Sequence, residues 1–462
     1  MNKKVWIFFG LIVLINAYFN ANLDLHYDEA YYWVWSQNLS LSYFDHPPMV
    51  AYMIWLFHFL GRSEFFVRLP ALVCMVITAI YMYKLANKMF NQKVAEITLL
   101  LAISWPMLEG VGFIMTPDSP LVMFWTLTVY CFYVGVFENK VSNIYFAGIF
   151  AGSALLSKYT ALLVFPGLFL FLLTSKDYRN ILAKKDVYLA FILSIIVFTP
   201  VIIWNYQHQW VSFLFQINHG TGGDHHISFA TLFDYLGAQI LITGPCIFLG
   251  LVVYLIKFYH KGSFDSRLAF LLWPSLFVFV FFTFCSLFKH MEGNWAAPSY
   301  ILGIIFLAYM LDITQNKWVY RLSVGLILVI MVVAKEPLYL MPSKINAPWL
   351  NVFFGSKQML NQAKPYITAD TIILACDYGG ASKVWYYLDN KVYVPNQFKF
   401  VNQYKYWNDR LNYPINKAVY ICDSQTDWEN LYAYFKNVKL VASPKFVNRV
   451  MSKELYIYEA NN

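Results

Sequence analysis

LDLHYDEAYYWVWSQNLSLSYFDHPPMVAYMIW, residues 23–55, follows directly on an apolar run that begins at Val5. Asp24, Asp28, Glu29 and His26 crowd one end, and Asp45-His46-Pro47-Pro48 stands at the other. Tyr31, Tyr32, Trp33 and Trp35 lie between them. Such an acid-rich stretch between apolar runs reads as the reactive loop of a membrane enzyme. The chain around it tests that reading.

Of the 462 residues, 59% are hydrophobic and only 13% are charged. Soluble domains carry roughly 25% charged residues, so the chain is a polytopic membrane protein. Its net charge of +8 comes from basic residues scattered among short loops, which does not indicate nucleic-acid binding, and no nucleic-acid partner is expected. Six cysteines without a C-x-x-C pair give no support to a zinc or redox centre.

A spanning helix needs about 20 apolar residues, fewer where protein shelters it. The sequence offers about eleven such segments: 5–20, 65–85, 94–108, 116–137, 143–157, 159–174, 187–204, 231–256, 268–288, 296–311 and 319–335. The apolar run 48–60 follows two prolines and carries His58, which suits a helix lying along the membrane surface. With the N-terminus inside, the basic residues alternate as the positive-inside rule requires. Inner loops hold Lys84, Lys88, Lys93, Lys140, Lys176, Arg179, Lys184, Lys185, Lys257, Lys261, Arg267, Lys317 and Arg321. Outer loops hold most of the loop acids. Segment 143–174 can also be read as one long helix through Lys158, which would invert every later loop. The first apolar run has the basic start and short core of a signal peptide, but AYFNAN (17–22) is a poor cleavage site, and an uncleaved anchor is expected.

After Ala334 the chain turns polar and rich in Asn, Lys and Tyr. Two domains are expected: a membrane domain over 1–336 and an outer α/β domain over 337–462. Short strands are read at Thr371–Cys376, Lys391–Val394, Ala418–Cys422, Val438–Val441 and Glu454–Tyr458, with helices at Ala381–Leu388 and Trp428–Phe435. Cys376 and Cys422 end two of the strands. A disulfide and two buried thiols both fit.

The unusual polar groups share one face: Asp28, Glu29, Asp45, His46, Glu109, Asp118, Lys158, the loop 205–226, Lys289 and His290. Ionisable groups at membrane depth are costly and usually functional. Acids suit a general base or a divalent metal, and bases suit a phosphate. Each residue also has a plainer reading. Asp24 or Asp28 can cap a helix beginning near Ala30, and Asp118 one beginning at Pro120. The aromatics 31–35 can form an interface belt. Asp45 can open a turn, Lys158 can snorkel, and His225-His226 can be a loop tip.

The ordered motifs resemble those of the GT-C superfamily of lipid-linked-sugar glycosyltransferases. The resemblance is closest to the bacterial branch of protein O-mannosyltransferases and the lipid A aminoarabinose transferase. They are His26-Tyr27-Asp28-Glu29-Ala30-Tyr31-Tyr32, Tyr43-Phe44-Asp45-His46-Pro47-Pro48, Val67-Arg68-Leu69-Pro70 and Thr116-Pro117-Asp118-Ser119-Pro120. Leu156-Ser157-Lys158-Tyr159-Thr160, Phe215-Gln216-x-x-His219-Gly220 and Glu292-Gly293-Asn294-Trp295-x-x-Pro298 follow in order. Asp377-Tyr378-x-x-Ala381-Ser382 resembles the soluble end of the same branch.

The resemblance implies an all-α polytopic membrane fold with amphipathic helices in the first outer loop and a small C-terminal α/β periplasmic domain. It implies an inverting transfer from a polyprenyl (undecaprenyl) phosphate donor to an envelope acceptor: lipid A, another glycan or a protein. Asp28 becomes the principal catalytic carboxylate, with Glu29 positioning the loop. Lys158, Arg68, Lys289 and His46 become phosphate partners, since His46 stands where a relative places lysine. Tyr31, Tyr32, Asp118, Glu109 and Asn294 line the sugar or acceptor pocket, and Asp45 and His219 become ligands of a divalent metal. The expected location is the bacterial inner membrane, N-terminus cytoplasmic. The rival is a transporter or flippase for a lipid-linked sugar. Transporters usually carry their charges near the midplane of repeated halves, whereas these sit at one rim and no internal repeat is visible.

Overall fold

The computed structural model describes residues 2–221, 226–261, 265–335, 352–395, 401–408, 411, 415–424, 427–448 and 452–462. The chain forms two compact units. Unit one comprises Met1–Tyr18, Leu41–Val50 and Arg68–Met331, and unit two comprises Phe19–Ser40, Ala51–Val67 and Val332–Asn462. The acid-rich stretch therefore divides: its Asp28 end folds with the C-terminal part of the chain, and its Asp45 end with the helices.

Unit one is helical. α1 spans Lys3–Asn22, α4 Glu64–Met89, α5 Gln92–Ala102, α6 Pro106–Phe113, α7 Asp118–Phe137 and α8 Val141–Leu155. α9 (Val164–Thr174), α10 (Lys185–Gln207), α11 (Val211–Thr221), α12 (Phe229–Thr243), α13 (Pro245–Lys261), α14 (Ser266–Cys285), α15 (Ala297–Ile313) and α16 (Trp318–Lys335) follow. Every segment expected to span is helical. Among the described residues, six helices are long and apolar enough to cross a membrane, or up to eight if each bent pair is one span. α10 shows what such a helix presents outward: Tyr188, Phe191, Ile192, Ile195 and Ile196 are exposed. Such an apolar face suits a hydrocarbon surround.

Two expected single spans are bent pairs. Segment 94–108 breaks between α5 and α6 by 63°, and segment 231–256 breaks between α12 and α13 by 109°. Pro106 begins α6, and Gly244 takes φ 87° before Pro245. Proline cannot continue a helical ladder, and positive φ is comfortable only without a Cβ. Segment 143–174 is broken as well: α8 stops at Leu155, and Lys158 is extended (φ −158°, ψ 140°) before a 3₁₀ turn. The tail of the 205–226 loop folds as α11 as far as Thr221, and 222–225 lie outside the described residues.

Unit two holds α2 (Tyr27–Gln37), α3 (Met49–His58, its first two residues apart), the helix Tyr378–Leu388 and a five-stranded sheet. The strands are β1 (Ile372–Ala375), β2 (Val392–Tyr393), β3 (Lys417–Cys422), β4 (Asn437–Ala442) and β7 (Tyr456–Asn461), in the order β2-β1-β3-β7-β4. β5 (Lys445–Val447) and β6 (Ser452–Glu454) form a separate hairpin. β1 runs parallel to β2 and β3, while β7 is antiparallel to β3 and β4. The helix Tyr378–Leu388 makes the crossover that parallel β1 and β2 need. The strand expected over 454–458 is thus two, β6 and β7, and the expected helix 428–435 is the 3₁₀ turn Asp427–Ala433. Cys376 and Cys422 are joined in a disulfide.

Candidate functional site

In unit two, α2 starts at Tyr27, three residues earlier than expected. Neither Asp24 nor Asp28 is its cap. His26 is: its Nδ1 accepts the Asp28 N–H at 3.2 Å, and Glu29 Oε2 accepts the His26 N–H at 2.9 Å. This reciprocal box satisfies two amides that a helix start leaves open. Glu29 is fully buried. Asp24 accepts the Ser356 N–H at 2.8 Å. Ser356 also receives Lys383 (3.1 Å) and Lys453 (3.3 Å) at its hydroxyl, a local scaffold for that turn.

Asp28 is left with a different environment. Tyr378 donates its hydroxyl to Asp28 Oδ1 at 3.1 Å. His26 Nδ1 comes within 3.6 Å of Oδ2, but its lone pair is already turned to the Asp28 amide. The side chain keeps 32% of its surface accessible, although protein surrounds it on most sides. Desolvation raises its pKa to about 6, the Tyr378 hydrogen bond opposes this, and the Glu29 charge adds to it. A carboxylate titrating there is mostly ionised at neutral pH yet accepts a proton readily, as a general base requires. The open groove of about 480 Å³ in this unit is lined by Asp24, Phe353, Gly355, Lys357 and Phe446, and not by Asp28.

The aromatic run packs within unit two. Tyr31 is buried, its oxygen accepts the Gln403 N–H at 2.8 Å, and its ring stacks on Tyr404 at 6.0 Å. Tyr32 packs edge-on against Trp35, and Trp33 against Tyr386. These rings pack α2 into unit two.

Unit one carries a second cluster. Asp118 opens α7 without capping it. Its Oδ1 takes Lys158 Nζ at 2.8 Å, and its Oδ2 takes Asn294 Nδ2 at 2.7 Å. Both charged side chains are nearly buried, at 7% and 8% exposure. Lys158 is therefore an interior partner of Asp118. Glu109 is buried and accepts Asn16 Nδ2 at 2.8 Å. Arg68 is fully buried, its guanidinium 5.4 Å from the Phe113 ring. Lys289 donates to the Asn218 carbonyl at 3.1 Å. His46 and Asp45 are half-buried, and Gln216 donates to the Asp45 carbonyl at 2.7 Å. The side chain of His219 lies outside the described residues, so the Asp45–His219 metal expectation does too. Among the described residues, the one group with metal-ligand spacing is Cys376, Cys422 and Asp423, whose two sulfurs are bonded to each other.

Sequence reasoning gave no role to Tyr378 or Asn16. Asn16, an amide inside an apolar run, was a visible signal. Tyr378 had a weaker one, the Asp377-Tyr378-Gly379-Gly380 helix start.

Comparison with known proteins bears out the resemblance read from the motifs. The profile of the dolichyl-phosphate-mannose-protein mannosyltransferase family matches residues 45–204. A lipid A galacturonosyltransferase, RgtD of Rhizobium johnstonii, is 27% identical over 309 residues. The match takes in 66% of this chain and 63% of that relative, so the chain spans less than two thirds of its length. ArnT from Cupriavidus metallidurans shares the fold over nearly the whole chain, both in the apo state and bound to undecaprenyl phosphate. The TM-score is 0.70 in each case, with 13% and 14% identity and coverage of 98% and 99% of this chain and 98% of each ArnT chain.

Proposed function

We propose that this chain transfers one sugar from a polyprenyl phosphate to an envelope acceptor, with inversion at the anomeric carbon and Asp28 as the principal carboxylate. The observation that carries the proposal is Asp28 itself: a partly open carboxylate with a near-neutral pKa, held by one neutral hydroxyl. The RgtD relationship favours lipid A as acceptor, and the ArnT likeness favours undecaprenyl phosphate as carrier. With a hydroxyl acceptor, Asp28 takes the proton as the oxygen attacks. With a phosphate acceptor it orients the nucleophile and stabilises the positive charge developing on the sugar.

Lys158 is proposed for the donor phosphate. Asp118 occupies one of its three N–H donors, and fixed cations facing a leaving phosphate are a large catalytic contribution. A divalent cation on Asp45 and His219 is proposed on donor chemistry alone, since a carboxylate with an imidazole suits zinc or manganese. We place the protein in the bacterial inner membrane with the sheet of unit two in the periplasm. The Cys376–Cys422 disulfide supports an oxidising surround for that sheet.

Mass spectrometry of envelope lipids and glycans from a deletion strain should show one species lacking a single sugar. Purified protein added to membranes of that strain should restore it. Restoration by pure protein excludes the flippase reading, and absence of any missing mass sinks the transferase reading.

A further inference from the structure

Tyr378 lies 350 residues from Asp28 in the chain, yet its hydroxyl donates to Asp28 Oδ1 at 3.1 Å within one compact unit. The contact is built in. β1 ends at Ala375, Cys376 is tied by its disulfide to Cys422 at the end of β3, and Asp377 caps the next helix by accepting the Gly380 N–H at 2.7 Å. Tyr378 is the first residue of that helix. Its ring is set by Tyr31 at 4.7 Å and Tyr27 at 6.4 Å. Gly379 is what lets the two helix starts approach: a Cβ there would stand 2.9 Å from Tyr27 Cβ.

We propose that Tyr378 is a positioning residue supplied to Asp28 by the C-terminal part of the chain, which aims the carboxylate and keeps it ionised. The proposal rests on Asp28 being the reactive carboxylate. Among the described residues of this unit, the groups around Asp28 leave this task to Tyr378. On α2 and its cap, Glu29 repels the charge and the His26 lone pair faces the Asp28 amide. On the facing helix, Lys383 is turned to Ser356 and the Val352 carbonyl, Tyr386 to the Arg62 carbonyl and Tyr387 to the Leu25 amide. The Tyr378 hydroxyl favours the ionised form against both desolvation and Glu29.

The test uses the full-length protein with membranes of the deletion strain, reading the mass gained per minute from pH 5 to 8.5. Tyr378→Phe keeps the ring contacts and loses the donor. One charge-assisted hydrogen bond is worth about one pH unit, so the acid limb should move from near 6 to about 7. Transfer then falls about fivefold at pH 6 and about twofold at pH 7, and converges with wild type above pH 8. Gly379→Ala, which pushes the helix start off Tyr27 but keeps the hydroxyl, should shift the limb in the same direction. In an Asp28→Asn background, Tyr378→Phe should cost nothing further. An acid limb unmoved in both variants overturns the proposal. Wild-type transfer that survives Asp28→Asn overturns the reading of Asp28 instead, so the two failures are distinguishable.

Discussion

Asp28 and Asp118 are aspartates in the first turn of a helix, where a negative charge is favoured, and each sits in one of the motifs that mark the chain. Their surroundings differ in every other respect. Asp118 is closed: one oxygen on Lys158, the other on Asn294, and little water. Asp28 is partly open, its bonded partner is a neutral hydroxyl, and folding makes its charge costly. A carboxylate whose charge is answered holds structure. One whose charge is only partly answered is available for proton transfer.

Replacing each with asparagine should separate the two roles. Asp28→Asn should lower transfer by about 10²–10⁴, the usual worth of a positioned base, while the protein stays folded with a melting temperature no lower than that of wild type. Asp118→Asn should instead leave Lys158 buried without its counter-charge, at a cost of about 3–5 kcal/mol in stability. The double change Asp118→Leu with Lys158→Met should restore most of that loss, because a buried pair is replaceable by apolar groups of similar volume. Melting curves and transfer rates on the same preparations check both halves. A folded, active Asp118→Asn protein would erase the contrast.

The disulfide sharpens the comparison on the Asp28 side. It closes a separation of 46 residues between Cys376 and Cys422, two residues before Tyr378. Chain entropy puts such a link at about 4 kcal/mol, and measured values run lower, about 2–4 kcal/mol. Replacing both cysteines with serine should therefore speed hydrogen exchange in the helix Tyr378–Leu388 and leave α7 unchanged. Equal exchange in both elements would show that the disulfide does not support the Asp28 surroundings.

Half of this contrast was legible in the sequence. Apolar runs located the helices of unit one apart from α11, which falls in the stretch read as a loop, because lipid imposes an apolar outer face whatever the partners. The bends were less visible: a hydropathy reading averages across Pro106 and Gly244-Pro245. Asp28-Glu29 stood out as an acidic pair whose labour the resemblance divides, but the capping box that holds Glu29 did not. His26-x-x-Glu29 is a capping box with histidine in the place usually held by serine or threonine. Lys158 and Asp118 were each visible beside a helix break, yet the pairing spans 40 residues and no local pattern encodes it. Tyr378 is farther still. Local structure follows from neighbours in sequence, while the partners that set a charge's energy come from the fold.

The smallest effect is also the one that tests the electrostatics most directly. The folded pKa of Asp28, about 6, lies above its ordinary value of 3.8. Folding therefore disfavours the ionised form. The penalty is present in full above about pH 6 and is relieved as pH falls from there towards 4. Since a third of the side chain remains open to water, we set it at about 1 kcal/mol. Asp28→Asn should be slightly more stable than wild type at pH 7.5, and the gap should narrow by about half at pH 5. Asp118 has its charge answered by Lys158, so Asp118→Asn should be less stable than wild type at both pH values. Melting temperatures of the three proteins at pH 5 and 7.5 decide the matter. If Asp28→Asn shows no gain at pH 7.5, desolvation of Asp28 is already offset by its neighbours, and its near-neutral titration loses its physical basis.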